Sequence, residues 1–428
     1  MTTERVSVRA AAGRSTGLQT ALWNVQQAAQ RLGLTRDIAR RIIDPAEQIS
    51  TRIHPVTHQG RMLHAEVFLV RHNDALGPTK GGIRMTPTVG LDEITGLAME
   101  MTWKTSLVGV PFGGGKSGIR CDPSRLEPAE KEALIRGFIR GVRRHVGPEI
   151  YIPAPDMGTN EQDMGYIRDC ISYSSATSIT TGCFVTGKPV ILGGIPGRRE
   201  ATGYGVVSTI AAACENLNLS LSNLRVAIQG FGNVGLATAS ILTQRGATAV
   251  AVSDISGGTF NCDGLDVPQL IEHVRATGKV KRFPGGTDVS LDDVLEADCD
   301  VLIPAATHSA ITEKNAGRIL ARVIAEGANS PTMPRADDIL SQREVFVIPD
   351  ILCNAGGVFV SYLEYTQETQ REQMTRQEVE QRLNDRMKNT FELVCSRAQH
   401  TGTTMRHAAM DIAVTRVRDG IVARGLLP

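Results

Sequence analysis

No stretch of eighteen consecutive apolar residues occurs in this 428-residue chain, so a transmembrane helix is not expected. Neither sign of charge is in excess. Lys and Arg number 46 against 45 Asp and Glu, leaving no electrostatic footprint for nucleic acid or an anionic membrane. The eight cysteines form no CxxC or CxxH, which argues against structural zinc and a disulfide framework and points to a reduced, cytoplasmic protein. His54 and His58 are four apart, but Pro55 between them disfavours a helical metal pair, and no metal is expected. The first seventeen residues include Glu4 and lack an apolar core segment, so they read as a frayed terminus and not as a secretory signal. Internal repeats and low-complexity stretches are absent as well. What remains is an ordinary globular composition, 41% apolar and 21% charged, long enough for two domains and a substantial core.

The texture of the chain changes near residue 190. Before it come amphipathic helices and glycine-punctuated loops. Ser124 and Glu127 read as a capping box, Pro128 falls in the first turn, and Leu134, Ile135, Phe138, Ile139 and Val142 form an apolar stripe that Gly147-Pro148 ends. After residue 200 short apolar runs at 224–229, 249–253, 301–303, 323–325 and 345–348 read as strands. A helix at 233–245, closed by Gly246, separates the first two. Strands alternating with helices predict a parallel, doubly wound α/β sheet. From about Thr366 the pattern is helical again, with Val379, Leu383, Met387, Phe391 and Val394 on one face. These last helices have no place in the sheet and are expected to pack back on the N-terminal domain. The division expected is 1–190 with about 360–428 in one domain, and 191–359 in the other.

Between 80 and 116 stand three lysines, Lys80 in KGGIR, Lys104 in MTWKTS and Lys116 in PFGGGKSG; the other charges there are Arg84, Asp92, Glu93 and Glu100. An IPAPD segment ending in Asp156 follows. Cations on glycine-rich loops suit a carboxylate-bearing substrate, since an ammonium gives charge-assisted hydrogen bonds and glycine admits a ligand close to the backbone. A lysine crowded by other cations and partly desolvated also loses proton affinity, which makes its amine available near neutral pH.

Gly230-Phe231-Gly232-Asn233-Val234-Gly235 fits GxGxxG, with a strand expected before it, a helix after it, and Asp254 ending the next strand. Gly230 is expected to make the turn, Gly232 to expose backbone N–H groups to a pyrophosphate, and Gly235 to let helix and strand pack closely. The helix N-terminus adds partial positive charge. A nicotinamide dinucleotide is the cofactor expected. Asp254 suits ribose hydroxyls and repels a 2′-phosphate, and no Arg or Lys lies between 247 and 270, which leans to NAD. NADP stays open, because Ser253, Ser256 or a residue elsewhere in the chain can receive the phosphate.

These residues carry a resemblance. HNDALGPTKGGIR (72–84), MTWKTSLVGVPFGGGKSG (101–118), PAPDMGTN (153–160), VTGKP (185–189), ATGYGV (201–206), QGFGNVG (229–235), EGANSPT (326–332) and NAGGVFVSYLE (354–364) occur in one order. The chain resembles the glutamate/leucine/phenylalanine/valine dehydrogenase superfamily, and within it the short hexameric glutamate dehydrogenases. The resemblance implies a substrate and oligomerisation domain, a Rossmann NAD(P) domain and a homohexamer. It implies catalytic roles for Lys116 and Asp156, α-carboxylate binding by Lys104, and side-chain carboxylate recognition by Lys80 and Ser361. Thr202 and Asn329 match positions at the nicotinamide half of the cofactor, and Asn354 and Arg198 match positions lining a cleft between domains. Relatives that oxidise leucine or phenylalanine lack the equivalents of Lys80 and Ser361. A buried lysine facing no carboxylate costs roughly several kcal/mol, so this pair favours glutamate.

The implied reaction is reversible oxidative deamination of glutamate to 2-oxoglutarate and ammonia, with Lys116 activating water and Asp156 shuttling protons. Four positions depart from the family pattern: Ser117 after the catalytic lysine, Leu69 and Arg71 in the preceding strand, and Tyr166 in the helix after PAPD. Ser117 is the one expected to touch rate. The chain lacks room for the antenna insertion of animal members, so their nucleotide regulation is not expected. Two rivals are a branched-chain or aromatic amino acid dehydrogenase, and a non-catalytic regulatory subunit of a hetero-hexamer. Retention of all five residues Lys80, Lys104, Lys116, Asp156 and Ser361 argues against the latter.

Overall fold

Apolar side chains along residues 65–73 point alternately to the two faces of a sheet, and this period of two organises the first half of the molecule. The computed structural model describes residues 16–174 and 182–425, so the terminus expected to be frayed lies, up to residue 15, outside them. The first elements are α1 (Thr16–Arg31), α2 (Arg36–Ile43), β1 (Glu47–Ile53), β2 (Ala65–Asn73), β3 (Thr79–Thr86), α3 (Leu91–Leu107), β4 (Gly113–Arg120), α4 (Pro128–Gly141), β5 (Tyr151–Pro155) and α5 (Glu161–Ser174). The strands form one sheet in the order β1-β2-β4-β3-β5, antiparallel across β1, β2 and β4 and parallel across β4, β3 and β5. Phe68 and Val70 pack with Ile94 and Ala98 of α3 on one face. Val67 and Leu69 pack with Phe138 of α4 and Ile167 of α5 on the other.

Helix α4 begins later than the capping box read from Ser124. The Ser124 N–H and hydroxyl bond instead to Asp122, at 3.1 and 2.6 Å, because Pro123 starts a separate short turn there. Pro128 is the first residue of α4, and the Glu130 carboxylate accepts from the Glu127 N–H at 3.0 Å.

The second half comprises α6 (Ala201–Leu217), β6 (Arg225–Gln229), α7 (Asn233–Gln244), β7 (Thr248–Asp254), β8 (Gly257–Phe260), α8 (Val267–Thr277), β9 (Thr287–Val289), α9 (Leu291–Leu295), β10 (Val301–Pro304), β11 (Val323–Ala325), α10 (Pro334–Gln342), β12 (Phe346–Ile348) and α11 (Asp350–Cys353). Its sheet runs β12-β11-β10-β6-β7-β8-β9. The strands from β12 to β7 are parallel, as the alternation of strands and helices requires. Antiparallel β8 and β9 extend the edge, a feature absent from the parallel sheet expected. Four residues opening on two glycines, GGTF, carry too little pattern to announce a strand.

Helices α12 (Gly356–Gln370), α13 (Arg376–Thr401) and α14 (Met405–Ala423) complete the chain. Two compact units result. One holds residues 1–196, 361–375 and 410–428, and the other holds 197–360 and 376–409. The whole C-terminal stretch was expected on the N-terminal domain; residues 376–409 group with the parallel sheet instead. The reason is visible in α13, where Val379, Leu383, Met387 and Phe391 are buried and the helix packs along α6. Among the described residues no helix is long and apolar enough to cross a membrane.

Candidate active site

KGGIR and GGGKSG are strands, β3 and β4, where glycine-rich loops were expected. Their glycines serve packing. A Cβ on Gly114 would lie 2.2 Å from the Thr102 nitrogen of α3, and one on Gly81 would lie 1.7 Å from the Gly115 carbonyl oxygen. Only without a Cβ on Gly114 can α3 lie directly on β4 and bring Lys104 over the face that Lys116 shares, and only without one on Gly81 can β3 run this close to β4. Constant register and the period of two put Lys80, Gly82 and Arg84 of β3 on one face with Lys116 of β4. Asp156 follows the last residue of β5, and a Cβ on Gly82 would lie 2.7 Å from its Cβ. Lys80, Lys104 and Lys116 are all buried, as is Ser361 on α12.

Lys116 and Asp156 meet directly, with Nζ 3.1 Å from Oδ2. The same Oδ2 accepts from Arg84 Nε at 2.8 Å, and Arg84 Nη1 donates to Glu93 Oε1 at 2.7 Å. Burial is the main influence lowering the Lys116 pKa; Arg84 and Lys104 add to it while Asp156 opposes. For Asp156 burial acts upward, but Lys116 and Arg84 together outweigh it and hold the carboxyl well below the usual range. The pair therefore combines an amine that gives up its proton readily with a carboxylate that stays ionised. Such a pair can activate water and relay protons.

In the second unit Gly230 takes φ +98 between β6 and α7, and its N–H bonds to the Ser253 carbonyl at 2.8 Å. A Cβ on Gly235 would lie 1.8 Å from the Gly230 oxygen, which keeps α7 tight against the turn. Around Gly232 a Cβ would meet nothing within 4 Å, and Phe231 is buried beside it. Asn233 and Val234 open α7, so its first N–H groups face that space. Asn354 Nδ2 donates to Asn329 Oδ1 at 2.9 Å and to the Ala328 carbonyl at 3.0 Å, leaving Asn354 Oδ1 buried without a partner. Gln229 Oε1 and Ser253 Oγ, ending β6 and β7, are likewise buried and unpartnered. Thr202 and Arg198 flank the start of α12, 2.6 and 3.3 Å from where a Gly357 Cβ would stand. Unsatisfied polar atoms at the carboxyl end of a parallel sheet, beside a helix N-terminus, fit a dinucleotide.

Asp254 is less available than the sequence implies. Its Oδ1 accepts from the Ser256 N–H at 2.7 Å and from the Ser256 hydroxyl, and its Oδ2 accepts from the Val280 N–H at 2.8 Å. Three of roughly four lone-pair positions are thus engaged within the chain. Lys281, outside the cation-free stretch 247–270, lays its stem along the same turn, with Cδ 3.4 Å from a Gly257 Cβ position. The electrostatic case for NAD over NADP is weaker in the structure than in the sequence.

The departures have local explanations. Ser117 is buried with Oγ 2.9 Å from the Tyr151 hydroxyl. Leu69 lies in the core, and Arg71 pairs with Glu47 at 3.2 Å and Asp74 at 3.0 Å. Tyr166 lies under the Arg136 guanidinium, 5.5 Å from the ring centre. Arg84, a charge to which the motifs assign no role, meets Asp156 here. Counting in twos from Lys80 along β3 was the signal that would have found it. No group of three or more His, Cys, Asp or Glu side chains is placed to hold a metal among the described residues.

Comparison with known proteins agrees with this geometry. Residues 193–425 match the Glutamate/Leucine/Phenylalanine/Valine dehydrogenase family model, and residues 45–173 match the Glu/Leu/Phe/Val dehydrogenase dimerisation domain. The chain is 42% identical to a glutamate dehydrogenase of Thermotoga maritima, covering 96% of this chain and 98% of that one. It is 40% identical to an NADP-specific glutamate dehydrogenase of Saccharolobus shibatae (92% and 94% covered) and 38% identical to an NAD-specific one of Staphylococcus aureus (94% and 96% covered). A crystal structure of hetero-hexameric glutamate dehydrogenase from Thermus thermophilus, in a leucine-bound form, superimposes with TM-score 0.92 at 32% identity, over 97% of this chain and 99% of that one. With both of its halves matched by family models and curated relatives aligned along nearly its whole length, the chain belongs to the glutamate/leucine/phenylalanine/valine dehydrogenase family.

Proposed function

We propose that the protein is a glutamate dehydrogenase, catalysing the reversible oxidative deamination of glutamate to 2-oxoglutarate and ammonia. The observation that carries the reading is the buried Lys116–Asp156 pair at 3.1 Å, set beside the Lys80 and Lys104 ammonium groups. The relatives named above are glutamate dehydrogenases, which supports the same substrate. Lys80 and Ser361 hold the side-chain carboxylate and Lys104 the α-carboxylate, through charge-assisted hydrogen bonds. Arg198 and Asn354 are assigned to substrate binding. The dinucleotide is held at Gly230, Phe231, Gly232, Asn233, Val234 and Gly235, with Asp254 at the ribose end and Thr202 and Asn329 at the nicotinamide end. When bound, the nicotinamide ring supplies the hydride acceptor for Cα oxidation. Lys116 in its neutral form activates water onto the resulting imino carbon, and as a cation it stabilises the oxygen charge that develops. Asp156 exchanges protons with the departing amino group.

Relatives specific for either dinucleotide are similar to this chain at 40% and 38% identity, so NAD and NADP remain the two candidates, with Asp254 favouring NAD only weakly. A homohexamer acting in the cytoplasm completes the reading; the eight cysteines are free thiols, as a reducing compartment maintains them. The test is glutamate oxidation followed by nicotinamide absorbance, with NAD and NADP in parallel and leucine as the competing substrate. Turnover of glutamate above leucine is expected. Leucine exceeding glutamate would move the substrate to the branched-chain class. Silence with both cofactors, from folded protein that still binds dinucleotide, would make the chain a regulatory subunit.

A further inference from the structure

The proposed reaction gives Arg84 no role, yet its guanidinium bridges two carboxylates from different elements. Nε donates to Asp156 Oδ2 at 2.8 Å and Nη1 to Glu93 Oε1 of α3 at 2.7 Å. Lys116 Nζ reaches the same Oδ2 at 3.1 Å. Two cations therefore converge on one oxygen of Asp156, and among the described residues Oδ1 accepts from no protein donor. A carboxylate held through one oxygen by a planar, doubly anchored guanidinium cannot rotate freely, and its other oxygen keeps a fixed direction.

Resting on the catalytic reading of Lys116 and Asp156, we infer that Arg84 is a positioning residue for this pair: it holds Asp156 through Oδ2, leaves Oδ1 as the oxygen that exchanges protons, and sets a permanent positive charge beside Lys116. The charged groups facing Lys116 are Lys80 and Arg84 from β3, Lys104 and, through Arg84, Glu93 from α3, and Asp156 after β5. Tyr151 on β5 adds no charge, since burial pushes its hydroxyl pKa up. Removing the Arg84 charge lets Lys116 hold its proton more tightly and lets the Asp156 pKa climb toward the ordinary range. Both changes raise the pH at which a free amine and an ionised carboxylate coexist, so the acid limb of the activity profile moves to higher pH.

The experiment compares the full-length wild type with Arg84→Gln and Arg84→Lys. One readout is kcat and KM for glutamate across pH. The other is the pH midpoint for acetylation of Lys116 by acetic anhydride, resolved by peptide mass spectrometry and independent of turnover. For Arg84→Gln both the acetylation midpoint and the acid limb are expected to rise by about one pH unit, with kcat lowered at least about tenfold and KM changed less than about threefold. Arg84→Lys restores the charge without the two-armed geometry. Its Lys116 midpoint is expected near the wild-type value while kcat stays low, and this variant decides the matter if the glutamine variant does not fold. A Lys116 midpoint unmoved in Arg84→Gln, or kcat fully restored by Arg84→Lys, overturns the positioning role. Wild type without glutamate turnover would refute the proposed activity, whereas the acetylation midpoints would still decide the assignment to Arg84.

Discussion

Ser117 lies on the opposite face of β4 from Lys116, and its hydroxyl is spent on a bond that can be assigned donor by donor. The Tyr151 hydroxyl gives its single proton to the Gly81 carbonyl at 3.0 Å, so the 2.9 Å contact with Ser117 must be a bond that Ser117 donates. Strand alternation, and not distance along the chain, separates this departure from the chemistry. Ser117→Ala is expected to lower stability by about 1 kcal/mol in urea melts and to leave glutamate turnover within about threefold. A larger loss of turnover would show that the bond between β4 and β5 sets the catalytic geometry. Lys116→Ala and Asp156→Asn behave differently: each is expected to cut turnover by roughly 10² or more while dinucleotide binding, read by nicotinamide fluorescence, stays nearly unchanged. The meeting of Lys116 and Asp156 is legible in sequence, because the chemistry proposed for the site demands those particular functional groups. The engagement of Asp254 by Ser256 and Val280 is not, because Val280 approaches it from 26 residues away.

At the scale of elements, α12 is fastened to the VTGKP segment by a buried ion cluster. Lys188 Nζ lies 2.7 Å from Glu364 and 2.9 Å from Glu368, and the Gly187 N–H donates to Glu364 at 2.8 Å. Burial works against the Lys188 charge, but Glu364 and its neighbours hold the ammonium pKa above its ordinary value. Ser361 sits on the same helix, one turn before Glu364, so the cluster also fixes where that hydroxyl stands. Lys188→Met leaves the buried Glu364 carboxylate without its cation, while Glu368 keeps Arg168, and is expected to cost about 3–5 kcal/mol in denaturant melts. A cost under about 1 kcal/mol would mean that the carboxylate finds solvent or a proton instead. Elements with many periodic residues were readable from sequence, as β6, β7, α7 and α13 illustrate. Elements set by neighbours were not. β3 and β4 look like loops on their glycines alone, and only the presence of α3 against Gly114 explains why a strand should be so bare. β8 and β9 exist because each finds a partner edge, which runs of four and three residues cannot declare in advance.

For the molecule as a whole, His72 couples stability to acidity. It is fully buried between β2, α2 and α3, with Nε2 donating to the Ile43 carbonyl at 3.2 Å and Nδ1 2.8 Å from Thr102 Oγ1. A carbonyl only accepts, so the neutral ring carries its proton on Nε2. Burial lowers its pKa from 6.5 to about 4. Between these values the unfolded chain binds a proton that the folded chain refuses, so stability falls as pH drops from 6.5 toward 4, by up to about 3 kcal/mol from this group. Denaturant midpoints measured at pH 7 and pH 5 should separate in the wild type and separate less in His72→Gln. Equal separations would place the acid sensitivity elsewhere.

The route of the chain has a practical corollary. The nucleotide-binding unit is assembled from 197–360 and 376–409, with residues 361–375 belonging to the other unit. A cofactor-swapping graft that moves one continuous gene segment, 197–360, therefore transfers the glycine turn and the whole parallel sheet but leaves α13 behind. The transplanted α6 would then meet a foreign α13 at the face lined by Val379, Leu383, Met387 and Phe391. Exchange of dinucleotide preference between relatives becomes a two-segment problem, in which the second segment brings the matching apolar face for α6.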